Sequence, residues 1–243
     1  TDRDRSKEEY TGQIIDSLNW LGLQWSEPLL FQSERTGAYK NAIQKLLDNG
    51  AAYRCFLTRE ELDQARKEAQ TKGGDFRVPK TYRDMPLQDQ KRLLNAGQTF
   101  TLRLKIPPGK TLFKDHIYGA ITVNNEEIDD FIIARSDGTP TYNFTVVVDD
   151  HTMGISHVIR GEDHISNTPK QLLIYGALGY PVPEFAHLPM ILGPDKKRLS
   201  KRHGAAGIQE FRDAGYAADT LLNYLVMLGW NPGTEQELFT REE

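Results

Sequence analysis

The stretch GPDKKRLSKRHG, Gly193–Gly204, decides how this chain is read. It follows Phe185–Leu192, a run with strand character, and five of the seven residues from Lys196 to Arg202 are basic. Gly193, Pro194 and Gly204 mark a loop at both ends. A cluster of lysine and arginine is ordinarily a solvated face. Here Leu199 and Ser200 interrupt the charge, and ligands of α/β sheets sit at the carboxyl ends of strands. Lysines in a glycine-bounded loop at such an end suit a polyphosphate.

Working outward, Ser156–Arg160 reads as a strand. Thr168-Pro169 opens a helix that runs to about Leu178 and stops at Gly179. With Phe185–Leu192 these make one strand–helix–strand crossover of a parallel sheet. Further upstream, Tyr142–Val148 is nearly continuous in apolar and β-branched residues, which predicts a buried parallel strand. Downstream, Gln209–Asp213 and Ala217–Leu228 are expected helices, with Leu221, Leu225 and Leu228 on one face of the second.

The first half has a different texture. Ser6-Lys7-Glu8-Glu9 fits a capping box, followed by Tyr10, Ile14, Leu18 and Leu21 at helical spacing. A second helix is expected over Thr36–Asn49, stopped by Gly50. Thr58-Arg59-Glu60-Glu61 opens a third, through about Ala69, and Pro86–Ala96 reads as a short fourth. Lys72–Tyr82 is polar and reads as loop. Phe100–Ile106, Ile117–Val123 and Ile128–Ala134 then predict strands of a small antiparallel unit.

The chain has 243 residues, room for one large domain or two small ones, with 38% hydrophobic and 26% charged residues. No apolar run reaches the ~20 residues that span a bilayer. The charged start, TDRDRSKEEY, predicts no secretory signal. Cys55 is the single cysteine, which excludes an internal disulfide and fits a reducing compartment. The net charge of −4 means that any nucleic-acid contact must use local patches.

Several residues invite chemistry. Arg160, at a strand end before Gly161, has the geometry to clamp a carboxylate bidentately, or to make an ordinary ion pair. Tyr142 reads as a core tyrosine with a satisfied hydroxyl. Asp149-Asp150 look like paired carboxylates, although such a pair after a strand often caps the next element. Glu162-Asp163-His164 suggests a metal or acid–base group, but no second histidine stands at helical ligand spacing, so no metal is assigned.

The spacing Arg198-Leu199-Ser200-Lys201-Arg202 resembles the KMSKS signature of class I aminoacyl-tRNA synthetases. Together with HVIRGEDHISNTPKQ (His157–Gln171) and PTYNFTVVVDDH (Pro140–His151), it makes nearly the whole chain similar to the catalytic domain of glutamyl-tRNA synthetases, most strongly over Gly138–Trp230. The resemblance implies an α/β chain in three parts. Residues 1–52 and 138–203 would form a partial Rossmann-type nucleotide-binding fold. Residues 53–137 would be an α+β insertion that holds the tRNA acceptor end. Residues 204–243 would start a helical stem-contact region. No HIGH-like sequence occurs, so the chain is expected to be a fragment lacking the portion that carries that motif, and to be inactive by itself.

The activity implied is ATP-dependent activation of L-glutamate, then transfer to the 3′ end of tRNA(Glu). The substrate carboxylate is the nucleophile, so catalysis is positioning and charge neutralisation. The resemblance carries Lys201 over as the catalytic cation at the phosphates, with Arg198, Leu199, Ser200 and Arg202 around ATP and its Mg2+. It assigns Arg160 and Tyr142 to glutamate, Asp163 and His164 to the ribose and base, and Met190 and Ile191 to backbone contacts with adenine. A buried arginine left unpaired by a neutral amide would oppose glutamine. A cytoplasmic monomer without membrane partners is expected. Some relatives carry zinc on a Cys-x-Cys pair; Leu57 stands at the partner place of Cys55, so no zinc is expected. Two rival readings are the paralogue that puts glutamate on the modified base queuosine of tRNA(Asp), and a non-catalytic RNA-binding module derived from a synthetase.

Overall fold

The computed structural model describes residues 7–193, 195–197, 199, 207–228 and 230–243. The chain divides into two compact units. The first holds Leu30–Arg160 and His164–His187; the second holds Gly161–Asp163, the described residues of Leu188–Glu243, and the chain before Leu30. Helix α1, Glu8–Trp20, belongs to the second unit, with Lys7 at its N-cap; Ser6, the expected cap, lies outside the described residues.

The first unit begins with α2, Thr36–Asp48, which buries Tyr39, Ala42 and Leu46 on one stripe. Its end is set by Gly50, whose φ of 72° only glycine takes without strain. Strand β1 is Ala52–Cys55. Helix α3, Arg59–Thr71, starts in the expected capping box: the Glu61 amide donates to Thr58 Oγ1 at 3.2 Å, and the Thr58 amide donates to the Glu61 carboxylate at 2.7 Å. Helix α4 is Leu87–Asn95 and β2 is Thr101–Leu104. The hairpin β3, Lys110–Asp115, and β4, Gly119–Asn124, comes next, then β5, Ile132–Ala134.

After these stand α5 (Tyr142–Thr152), β6 (His157–Gly161), α6 (Thr168–Leu178) and β7 (Glu184–Leu188). Strands β1, β2 and β5 form one antiparallel sheet in that order. A second sheet runs β4-β3-β7-β6. In it the hairpin strand β3 lies parallel to β7, with Asp115 opposite Phe185. The antiparallel hairpin is therefore one half of the crossover sheet. One core fills the unit, built on Leu46, Leu104, Ile133, Phe144, Val147, Ile174 and Leu178. Lys45 of α2 and Asn49 at its C-cap donate to the carbonyls of Leu178 and Ala177, at 2.6 and 2.9 Å, and so close the C-terminus of α6.

The expected strand Tyr142–Val148 is a helix. Its β-branched run, Thr145–Val148, favours strand locally, but Phe144, Thr145, Val147 and Val148 are buried while Tyr142 faces out, which is helical sidedness. Asp149 and Asp150 therefore sit in the last turns of α5 and cap nothing. Asp149 instead latches α5 to α2, accepting from Arg35 Nε at 2.7 Å, Gln32 Nε2 at 2.9 Å and the Tyr39 hydroxyl at 2.9 Å. Strand β7 ends at Leu188 instead of Leu192, so Met190 and Ile191 lie beyond it. Strands β1 and β3 were not foreseen, and β5 starts at Ile132 instead of Ile128: in the irregular stretch before it, buried Asp130 accepts from the Ile106 amide and the Tyr53 hydroxyl.

The second unit also holds α7, Ile208–Asp213, and α8, Ala218–Met227. The end of the chain folds back on α8. Asn223 both donates to the Glu237 carbonyl and accepts from the Phe239 amide, each at 2.8 Å. Arg241 reaches Asp219 at 2.6 Å.

Candidate functional site

The site grows from the end of β6. Arg160 projects there half-buried, and its guanidinium is held by neutral acceptors. Nε donates to His187 Nε2 at 3.2 Å. One terminal nitrogen donates to Thr168 Oγ1 and to Gln171 Oε1, each at 2.8 Å, and to the His164 carbonyl at 3.5 Å. Thr168 and Gln171 come from the first turn of α6 and are buried, so the helix start and the strand end fix the fork together. Gln171 is itself oriented by donating to Asn143 of α5 at 3.1 Å.

Behind the arginine stands a residue pair from two other strands. His187 of β7 is fully buried, and its Nδ1 lies 2.6 Å from an Asp115 carboxylate oxygen at the end of β3. The carboxylate accepts the Nδ1 proton, which leaves Nε2 as the acceptor that Arg160 needs. Burial alone would push the Asp115 carboxyl up. The amides of Tyr118 and Ile117, His187 and its amide outweigh that and hold it at about 2.

No carboxylate among the described residues lies in ion-pair contact with Arg160. Burial pushes the guanidinium down from its ordinary value, while Tyr142 and Asp150 nearby pull it back up. Asp150 is itself pushed up by burial, which outweighs the Tyr175 hydroxyl and Arg160. Tyr142 stands at the first turn of α5 with 41% of its surface exposed, its ring 6.1 Å from that of His164. Arg160, Tyr142 and His164 thus share one place in the first unit: a cation in a cradle of buried neutral acceptors, with an exposed phenol and an imidazole at its side. Such a place can take an anion.

In the second unit, the Met190 amide donates to the Glu162 carboxylate at 2.9 Å, and the Leu199 amide donates to the Ile191 carbonyl at 2.9 Å. The second bond folds the start of the basic loop back against the chain that leads into it, and the first ties that chain to the residues after β6. Asp163 is exposed, and its carboxylate lies so close to Gly161 that a Cβ there would meet it at 2.7 Å. Of the residues expected around ATP, Arg198, Ser200, Lys201 and Arg202 lie outside the described residues. Cys55 is buried in β1 as a free thiol.

Asp115, His187 and Gln171 were not singled out from the sequence, and Thr168 was read only as a helix start. For His187 a signal existed: it alternates with Phe185 on the buried face of a strand, where a histidine needs a partner. Nothing local pointed to Asp115.

Comparison with known proteins gives a consistent result. Residues 1–243 match the family described as tRNA synthetases class I (E and Q), catalytic domain. The chain is 50% identical to a glutamate–tRNA ligase of Coprothermobacter proteolyticus over 245 residues, covering 100% of this chain and 52% of that protein. It is 51% identical to a glutamate–tRNA ligase of Aquifex aeolicus, again covering 100% of this chain and 52% of the relative. The chain thus spans about half the length of the curated relatives it matches. Among solved structures, a glutamate tRNA ligase from Elizabethkingia meningosepticum in complex with its amino acid superposes with a TM-score of 0.89 at 32% identity, covering 99% of this chain and 55% of that one.

Proposed function

We propose, for a chain that belongs to the class I tRNA synthetases for glutamate and glutamine as part of their catalytic domain, that it supplies the glutamate-reading and ATP-binding portion of a glutamate–tRNA ligase. The observation that carries this reading is the company Arg160 keeps. Its cradle of His187, Thr168 and Gln171 orients the fork and offers no negative charge. A half-buried cation left in that state favours an anionic partner, and the side-chain carboxylate of glutamate provides two oxygens in one plane. Glutamine presents a neutral amide whose NH2 would face donors, so it would be rejected by an unpaired charge.

The reaction then has two steps. A carboxylate oxygen of the amino acid attacks the α-phosphorus of ATP, taken as its Mg2+ complex, and the bond to pyrophosphate breaks. In the second step a terminal ribose hydroxyl of tRNA(Glu) attacks the acyl carbon, and AMP leaves. Neither step asks for a protein nucleophile. Arg160 and Tyr142 would hold the amino acid. Lys201, with Arg198, Leu199, Ser200 and Arg202, would draw and neutralise the phosphates, since lysine acts as a mobile point charge. Asp163, His164, Met190 and Ile191 would receive the nucleoside.

With this reading go a role for residues 53–137 at the tRNA acceptor end, one for residues 204–243 along its stem, and a cytoplasmic, monomeric protein. No helix among the described residues is long and apolar enough to cross a membrane. The test, on a full-length ligase that contains this chain, is ATP–pyrophosphate exchange driven by glutamate or by glutamine, with tRNA present and absent. Exchange that depends on glutamate and is lost in Arg160→Ala is expected. Equal exchange with glutamine would sink the reading.

A further inference from the structure

Away from Arg160, at the amino ends of β6 and β7, three side chains converge. His116 follows the last residue of β3, Glu184 opens β7 and His157 opens β6. The backbone sets them side by side. The His116 amide donates to the Phe185 carbonyl at 2.9 Å, and the Glu184 amide donates to the Ser156 carbonyl at 2.8 Å. The strand order β3-β7-β6 therefore puts the glutamate between the two histidines.

The side chains use that placement. His116 Nε2 is hydrogen-bonded to the Glu184 carboxylate, and His157 Nε2 lies 3.7 Å from the same oxygen. The two imidazoles stack with centroids 6.3 Å apart. One ligand atom from each of the three lies within 4.8 Å of the others. His157 Nδ1 is bound by Ser156 Oγ at 3.0 Å, which leaves Nε2 as the atom turned to the cluster. Holding the second ring nitrogen in this way is how metal-binding histidines are oriented.

We propose that His116, His157 and Glu184 form a site for a late first-row divalent cation, zinc above all, which clips the β3–β4 hairpin to β6 and β7. Two imidazoles and one carboxylate are a donor set that zinc accepts, with water completing the tetrahedron. Tetrahedral zinc, at ~2.0–2.2 Å from each ligand, asks for ligand atoms roughly 3.3 Å apart. The present separations are reached by small rotations of side chains that are each about half exposed. Lys114 lies close enough to act on Glu184 and is the neighbouring charge that works against a cation. The clip stands apart from the anion site: His157 and Arg160 are at opposite ends of β6, about 10 Å along the strand. It is also separate from the place of Cys55, where a single thiol remains too little for a closed zinc site.

The test uses the full chain without a polyhistidine tag, stripped with chelator and titrated with zinc against a chromophoric indicator. One equivalent is expected to bind and to raise the melting temperature. His157→Ala and Glu184→Gln should each weaken binding by about ten-fold or more and remove the thermal shift. Circular dichroism shows whether these exposed variants keep the fold. His151→Ala, whose ring stacks on Tyr180 elsewhere in the unit, should bind zinc as the parent does. No uptake at millimolar zinc, or uptake that the cluster variants leave unchanged, would overturn the proposal. An equal loss in His151→Ala would do so too, because it would mark general surface binding.

Discussion

Asp115 and His187 meet in complete burial, carboxylate oxygen to Nδ1 at 2.6 Å, from strands 72 residues apart. The contact fixes which imidazole nitrogen carries the proton, and through it the direction of Arg160 Nε. In Asp115→Asn the side-chain NH2 can donate to Nδ1, which moves the ring proton to Nε2, where it opposes the Arg160 N–H. The expected result is a raised KM for glutamate with little change in KM for ATP, and a stability loss of about 1–3 kcal/mol. Steady-state kinetics with each substrate varied separates the two. An equal rise in both values would show that Asp115 only supports the fold.

In a full-length ligase that contains this chain, Arg160→Ala should weaken glutamate-dependent exchange by about 2–5 kcal/mol, the cost of losing a charge-assisted contact. Arg160→Lys should recover little of it, because an ammonium cannot reach His187, Thr168 and the substrate as a planar fork. Unchanged glutamate KM and kcat in the alanine variant would remove Arg160 from the site.

Burial raises the pKa of Asp150, so its charged form destabilises the fold relative to the unfolded chain. By linkage, the unfavourable contribution is present above the folded pKa and fades as the pH falls through it. Asp150→Asn should therefore be more stable than the parent at neutral pH, and the difference should shrink on acidification toward the ordinary aspartate value of about 3.9. Urea midpoints across that range measure it. A variant less stable at neutral pH would mean that its attraction to Arg160 outweighs its burial.

Asp149 has Arg35, Gln32 and Tyr39 on its two oxygens. Asp149→Ala would leave the partly exposed Arg35 and the buried Tyr39 hydroxyl without their shared acceptor, at a cost of about 1–3 kcal/mol. Tyr39→Phe removes one donor and leaves the carboxylate satisfied, so about 1 kcal/mol is expected. Chemical denaturation ranks the pair, and equal losses would show that Arg35 contributes nothing to the latch.

The legible and the hidden parts of this chain divide along physical lines. Local signals were reliable where they depend on backbone chemistry: the Thr58 capping box, Pro169 in the first turn of α6, and Gly179 at its end with φ of 66°. Arg160 was legible because it closes a strand before a glycine. Helix α5 reads as strand because three valines carry β-propensity whichever element they occupy, and only the packing of Phe144 and Val148 decides. The partners of Arg160 were hidden for another reason. Asp115 and His187 acquire meaning only through the pairing of β3 with β7, which no local window contains. The same pairing assembles His116, His157 and Glu184, whose spacing along the chain matches no metal motif.

The parallel pairing of β3 with β7 also sets a timetable for synthesis. The hairpin β3–β4 can close as soon as it leaves the ribosome, but the neighbour that β3 pairs with is made much later. With 72 residues between Asp115 and His187, and translation at about 5–20 residues per second, the wait is roughly 4–14 s. Throughout it β3 presents an open edge, a template for pairing with another nascent chain. Asp115 shares that wait: its carboxylate, buried in the finished fold, stays wet until His187 emerges. A lone hairpin is at best marginally stable in water, so the nascent hairpin can open and re-form until β7 arrives to lock it.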